Sequence, residues 1–539
     1  MTHMSVSRSR SPVNVIKTDH RKGVGRDPVL GQAEATCAPV TPAPSSPPGP
    51  GPWLDKIFSA LGMRSPSNGI VRTSVPVNAP WLGGVENAQE LSGLQAQTLE
   101  GTLPPGVRGT LLRNGPGRFE RGGERVPHWF DGDGGILRVK LDGSIANAEV
   151  DYRFVRTPGF VEEAAAGRYT RPVFGYLPEG TPAARSVAAA KNTANTNIMA
   201  FGQRLLALYE GALPTALNPE TLATVGEIDL GALVPGEFFT AHPHRDADGR
   251  TFALSTKPGK GASVLELDEN GCITRKVSLP ALKTMPHDFI SAGPYLVFIE
   301  SPVRMNLFPA LLGMVPIADA LSWKEHGQNR IHVVNKDTLE TKSESTAAPF
   351  SSAHFGGGRL EPDGTISFIA FVPESNDPSG RALMRFMRGE HVDVGGRPTR
   401  IHLDPNSGEI VRKVILADVR ADWPVEDPRT GGKSGEELWC ATHSDGAGYF
   451  DGYGRLDRDT GLVDRAQLPP GTYGNEPTLC VDADDPSKLW LITVQYVSGA
   501  DRSELAVYDA HALHAGPVYR AALPSVIPFG FHGCFVPAL

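Results

Sequence analysis

Four histidines hold the chemistry this chain can be expected to perform: His242 in Thr-Ala-His-Pro-His, His287 in Met-Pro-His-Asp-Phe, His354 in Ser-Ser-Ala-His-Phe and His532 in Pro-Phe-Gly-Phe-His-Gly. Each stands at the start or end of a strand-like segment, far in sequence from the others. No two share a helical turn, as zinc-hydrolase ligands in H-E-x-x-H do. A site made from them has to be assembled by the fold. Neutral imidazole suits iron, copper, zinc and nickel, so histidines converging without a thiolate or carboxylate point to a borderline transition metal. Taken singly, each also reads as an ordinary half-buried polar residue.

The elements that must position them are short strands. Gly135–Leu141 ends at Asp142-Gly143, Ser263–Asp268 ends at Asn270-Gly271, and Tyr453–Asp457 ends at Thr460-Gly461. Alternation of apolar and polar residues closed by such turns is the strongest short-range hairpin signal. Repeated along most of the chain, it predicts one large antiparallel all-β protein. So many strands leave the fewest exposed edges when arranged radially, which favours a β-propeller over a single sandwich, although no WD or kelch repeat is present.

Composition agrees. Sixty glycines and 47 prolines among 539 residues, with 21% charged, suit many short elements and turns rather than long helices. The net charge of −8 and the absence of a dense basic run give no reason to expect a nucleic-acid partner. The five cysteines, Cys37, Cys272, Cys440, Cys480 and Cys534, form no C-x-x-C pair, and a reducing compartment is the simpler reading. No apolar run is long enough to span a bilayer.

Two stretches break the pattern. Residues 1–75 are rich in Ser, Pro, Arg and Lys and cannot bury enough apolar surface to order themselves. They read either as an organelle transit peptide, which would place the protein in a plastid, or as a disordered extension of a cytoplasmic protein. Within them, Trp53–Leu61 has helical apolar spacing, suited to resting on the core or on a membrane. The segment 307–317, Leu-Phe-Pro-Ala-Leu-Leu-Gly-Met-Val-Pro-Ile, is too apolar for a surface loop and too broken by proline for a core helix. It reads as a patch dipping into a membrane leaflet, as the mouth of an apolar tunnel, or as a buried connection. Residues 76–539 are expected to form a single domain.

From about residue 80 onward the chain resembles the carotenoid cleavage dioxygenases. Gly109–Gly117 (GTLLRNGPG) and His128–Gly135 (HWFDGDGG) are similar to the family's amino-terminal signatures, and Ala194–Asn197 (ANTN) with Leu205–Glu210 (LLALYE) to its second blade. The resemblance implies a seven-bladed β-propeller, with loop and short-helix insertions capping an axial Fe(II) held by four histidines. It puts ligands at His242, His287 and His532. His354 fits less well, because the family pattern there, His-x-x-Asn-Ala-Phe-Glu, is replaced by His-Phe-Gly-Gly-Gly-Arg-Leu-Glu; the alternative is three ligands with residue 354 a bystander. His244 faces the same way as His242 in an extended chain and is a competing ligand.

Metal-bound imidazoles normally donate their second N–H to a carboxylate or carbonyl, and the resemblance implies three glutamates in that role. They fall on Glu163, on Glu476, and on Asp422 where the family has Glu, with Glu437 as the alternative for the third. The implied reaction is oxidative C=C cleavage of a carotenoid or apocarotenoid by O2, with Phe130, Phe238, Phe239, Phe289 and Phe355 as candidate walls of a substrate tunnel. Rival readings are stilbene cleavage, which would require a Tyr–Lys pair near the metal, isomerisation at the same site, and a non-catalytic propeller scaffold. The 307–317 segment is expected to make peripheral membrane contact.

Overall fold

A computed structural model describes residues 79–246, 248–378, 380–430 and 435–538. The segment 1–75, with Trp53–Leu61, Cys37 and the transit-peptide reading, lies outside these residues.

The three hairpins read from turn chemistry form as predicted. Asp133–Asp142 pairs with Asn147–Phe154, Gly261–Leu267 with Ile273–Leu279, and Gly452–Asp457 with Gly461–Gln467. Their turns are held by aspartates bonding the backbone just ahead: Asp268 accepts the N–H groups of Asn270 and Cys272, and Asp457 those of Asp459 and Thr460. This is the local bond that makes Asp a turn residue.

Seven antiparallel sheets of four to six strands follow one another along the chain, and their first strands pack against those of neighbouring sheets to make a seven-bladed propeller. Blade 1 holds Leu91–Gln95, Arg108–Arg118, Asp133–Asp142 and Asn147–Phe154; blade 2 runs from Asn197–Phe201 to Thr224–Glu227. Blade 3 runs from Phe238–Phe239 to Ile273–Leu279, blade 4 from Ile290–Ala292 to Thr341–Ala347, and blade 5 from Phe355–Leu360 to Ile410–Ile415. Blade 6 spans Arg420–Glu426 to Gly461–Gln467, and blade 7 Thr472–Gly474 to Pro517–Ala522.

The ring is closed twice. Gln97–Gly101 adds the outer strand of blade 7 by pairing with Pro517–Ala522, and Gly533–Pro537 adds the inner strand of blade 1 by pairing with Arg108–Arg118. Apolar faces are buried between blades. Leu111, Val139 and Val150 of blade 1 meet Val494, Leu505 and Val507 of blade 7, and Ile331 and Val333 of blade 4 meet Phe368 and Ile401 of blade 5. Each such side chain, fully buried, stabilises the fold by about 1.5–3 kcal/mol.

The insertions expected above the ring are short helices: Pro158–Ala166, Pro182–Arg185, Leu307–Leu311, Ile317–Ala320 and Arg381–Met387. Pro309 sits in the first turn of its helix, where a missing N–H costs no hydrogen bond, so the proline-broken segment still forms one turn. Arg381–Met387 packs on the Trp129–Asp131 turn, which carries Phe130.

Candidate metal centre

The inner strands bring the four histidines to one point. His242 lies between the two short first-strand pieces of blade 3, His287 and His354 precede the first strands of blades 4 and 5, and His532 precedes the closing strand of blade 1. Their Nε2 atoms form a chain: His242 to His287 at 3.1 Å, His287 to His354 at 3.2 Å, and His354 to His532 at 3.2 Å. The four ligand atoms lie within 4.8 Å of one another.

Three of the rings are held from behind. His287 Nδ1 lies 2.5 Å from Glu210 Oε1, His354 Nδ1 2.8 Å from Asp422 Oδ1, and His532 Nδ1 2.7 Å from Glu476 Oε1. An ionised carboxylate only accepts, so the proton of each neutral imidazole belongs on Nδ1 and the lone pair on Nε2. Burial first, then the neighbouring imidazoles, holds His242 well below its ordinary pKa, and burial also lowers His532. Burial opposes the ionisation of Glu210 and Glu476, but the facing His287 for the one, and His532 with the Arg113 guanidinium for the other, keep both carboxyls below their usual range.

Lone pairs meeting at about 3 Å with no proton between them repel unless a cation lies among them. Two imidazole nitrogens about 2.1 Å from one divalent ion and at right angles to each other are about 3 Å apart, so the donor set fits a first-row transition metal. With each residue counted once, the seven blades supply four histidines, from blades 1, 3, 4 and 5, and three carboxylates, from blades 2, 6 and 7.

Not every expected residue joins this cluster. Glu163 is fully buried but touches no histidine: it bonds Lys191 Nζ at 2.6 Å and accepts the backbone N–H groups of Thr170 and Arg171. Lys191 also bonds Asp133 at 2.6 Å, and Asp133 pairs with Arg121. Glu163 therefore secures the helix Pro158–Ala166 to blade 1, and Glu210 takes the place expected of it. Glu210 closes the apolar run Leu205–Leu208; an acid at the inner end of a buried strand was the available signal. Glu437 pairs with Arg455, away from His354. His244 turns to Asp288 instead of joining the four.

The aromatic candidates also divide. Phe239, Phe289 and Phe355 are buried core residues within or between blades; Phe289, for example, is fully buried against Phe298. Phe238 is half-buried and pairs with Thr256. Phe130 is 37% exposed and sits 5.7 Å from Phe174 and 5.5 Å from Phe531, the neighbour of His532, while Trp129 lies 4.6 Å from Phe531. With Phe174 and Phe531, which sequence reading passed over, Phe130 forms an aromatic cluster that ends at the residue preceding His532. The Ala194–Asn197 segment ties it down: Asn195 donates to the carbonyls of Phe130 and Gly132, and Asn197 to that of Ala241, beside His242.

A family model described as retinal pigment epithelial membrane protein matches residues 84–537. The apocarotenoid-15,15'-oxygenase of Synechocystis is 30% identical over 497 residues, covering 86% of this chain and 99% of the relative. The probable carotenoid cleavage dioxygenase 4, chloroplastic, of Arabidopsis thaliana is 28% identical and covers 83% of this chain and 78% of its own. The crystal structure of cobalt-substituted Synechocystis ACO superposes with a TM-score of 0.77 at 29% identity, over 85% of this chain and 98% of that one.

Proposed function

Because the chain belongs to the retinal pigment epithelial membrane protein family, the carotenoid oxygenases, we propose that it is a non-haem Fe(II)-dependent dioxygenase that cleaves a C=C bond of a carotenoid or apocarotenoid to carbonyl products. The observation that carries this reading is the meeting of four imidazole Nε2 atoms, the ligand atoms all within 4.8 Å of one another. His242, His287, His354 and His532 would hold the iron, and Glu210, Asp422 and Glu476 would hold three of those rings in orientation. Bound there, Fe(II) supplies O2 activation next to an apolar alkene.

The protein's own contribution is position and dryness. Phe130, Phe174 and Phe531 offer flat apolar surfaces along which a polyene can slide, while specificity depends on how far it enters. Stilbene cleavage has no observation in its favour. Lys191 lies 5.2 Å from the Tyr169 ring centre, but its ammonium is engaged by Asp133 and Glu163. Entry from a membrane is part of the same proposal: Met305, Phe308, Leu311 and Met314 are 40–70% exposed in and beside the 307–317 segment. Among the described residues no helix is long and apolar enough to cross a membrane.

The test is incubation of Fe(II)-loaded protein with carotenoids, apocarotenoids and stilbenes, reading products by mass. Carotenoid-derived aldehydes or ketones are expected. Stilbene aldehydes alone overturn the carotenoid substrate assignment, and a product of unchanged mass overturns cleavage itself.

A further inference from the structure

His242 is the one imidazole of the four with no carboxylate partner among the described residues. The ring that would otherwise be free to turn is followed by Pro243, whose φ is fixed by its own ring, and then by His244. Side chains two residues apart in an extended segment share a face, and here the second is anchored. His244 Nε2 lies 2.7 Å from Asp288 Oδ1, and its ring packs 4.5 Å from that of Phe289.

Asp288 serves more than this one partner. The oxygen that takes the His244 bond also accepts the Phe289 N–H at 2.8 Å, and the other oxygen accepts the Phe355 N–H at 2.8 Å. The residue is 3% exposed, so these bonds face little competition from water. Asp288 directly follows His287, Phe355 directly follows His354, and His244 stands two residues beyond His242. One carboxylate thus joins the ligand-bearing segments of blades 3, 4 and 5 without facing the ligand nitrogens.

We propose that Asp288 is a positioning residue that sets the spacing of His242, His287 and His354, and that through His244 it supplies the orientation that Glu210, Asp422 and Glu476 supply to the other three rings. The inference rests on the four imidazoles being a metal site. Asp288→Asn keeps the shape but replaces one acceptor with a donor, so either the His244 or the Phe355 bond is lost. His244→Ala removes one bond and leaves Asp288 in place. His244→Gln puts an amide N–H where the imidazole Nε2–H lies.

The test uses Co(II) alone as probe, titrated into the metal-free chain and followed by visible absorption, with the thermal midpoint of the metal-free form recorded beside it. His244→Ala and Asp288→Asn are expected to weaken Co(II) binding by about 10- to 100-fold and to alter the visible band while the metal-free midpoint stays close to the parent's. His244→Gln is expected to recover most of the affinity. If Asp288→Asn fails to fold, the two His244 variants decide the matter. Parent-like affinity and spectrum in His244→Ala overturn the proposal, as does a His244→Gln variant no better than the alanine one. A parent chain that binds no Co(II) or Fe(II) overturns the metal site itself, a separate result.

Discussion

His128 and Asp131 stand at the two ends of the turn that carries Phe130, and burial drives their protonation in opposite senses. Burial raises the Asp131 carboxyl to about 7, against the lowering effect of the Gly175 and His128 N–H groups it accepts. Burial lowers His128 to about 4; its Nδ1 accepts the Phe130 N–H and its Nε2 donates to the Gly380 carbonyl, a pairing only the neutral ring can make. An acid with a raised folded pKa loses stability as pH rises from its unfolded value near 4 towards 7. A histidine with a depressed folded pKa loses stability as pH falls from its unfolded value near 6.5 towards 4. The two contributions cancel between pH 4 and 6.5. Denaturant unfolding should therefore show Asp131→Asn gaining stability with rising pH relative to the parent across that range, and His128→Gln losing it, each by up to about 1.4 kcal/mol per pH unit. Parallel profiles for all three chains would refute this. At this scale the sequence was legible where a residue type is rare in its setting: the four histidines stood out, and Glu476 and Asp422 followed once the family pattern was in view. Glu210 was hidden because one acid after a strand looks like any solvated strand end, and Glu163 misled because its partner, Lys191, is remote in sequence.

The departure that follows His354 has a local cause in its element. Gly356, Gly357 and Gly358 make a bulge in the first strand of blade 5, where the pairing with Ile366–Val372 shifts register. Gly357 has φ +64°, its N–H is taken by Glu426 and its carbonyl by Arg458. A Cβ on Gly358 would collide with the Ser291 carbonyl of blade 4 and come 2.7 Å from Ile290 Cγ2. The glycines are thus the condition for blade 4 to approach blade 5 at the ligand end. Gly358→Ala should cost about 1–3 kcal/mol by overpacking, visible as a lower thermal midpoint in the metal-free chain; an unchanged midpoint would mean that the blades separate freely. A second bulge follows Asp422, with Trp423 at φ 57° ahead of Pro424, so the aspartate that reaches His354 stands where the strand kinks. Hairpins were readable because turn chemistry is local. Bulges were not, because their cause lies in the neighbouring blade.

Over the whole molecule, blade number came from the family resemblance, since turn signals alone do not count blades, and which strand completes which sheet emerged only from the structure. The chain ring depends on Gly533–Pro537, so a chain stopped after His532 keeps every ligand but loses the strand that fixes the last one. It should melt lower than the parent and fail to retain Co(II); retention at parent affinity would show that the ring holds without that strand. The exposed apolar segment makes a different prediction. Phe308→Asp with Leu311→Asp should release the protein from phospholipid vesicles in a flotation assay while leaving Co(II) uptake intact, and undiminished flotation would remove the membrane from the proposal. The double closure also has a bearing on biosynthesis. At translation speeds of about 5–20 residues per second, roughly 15 to 60 s pass between the synthesis of His242 and that of His532. Through that interval the nascent chain can present at most three of the imidazoles, and blade 1 waits without its inner strand. Assembly of the four-imidazole cluster is therefore a late event in the life of each polypeptide, possible only once residues 532–537 have left the ribosome.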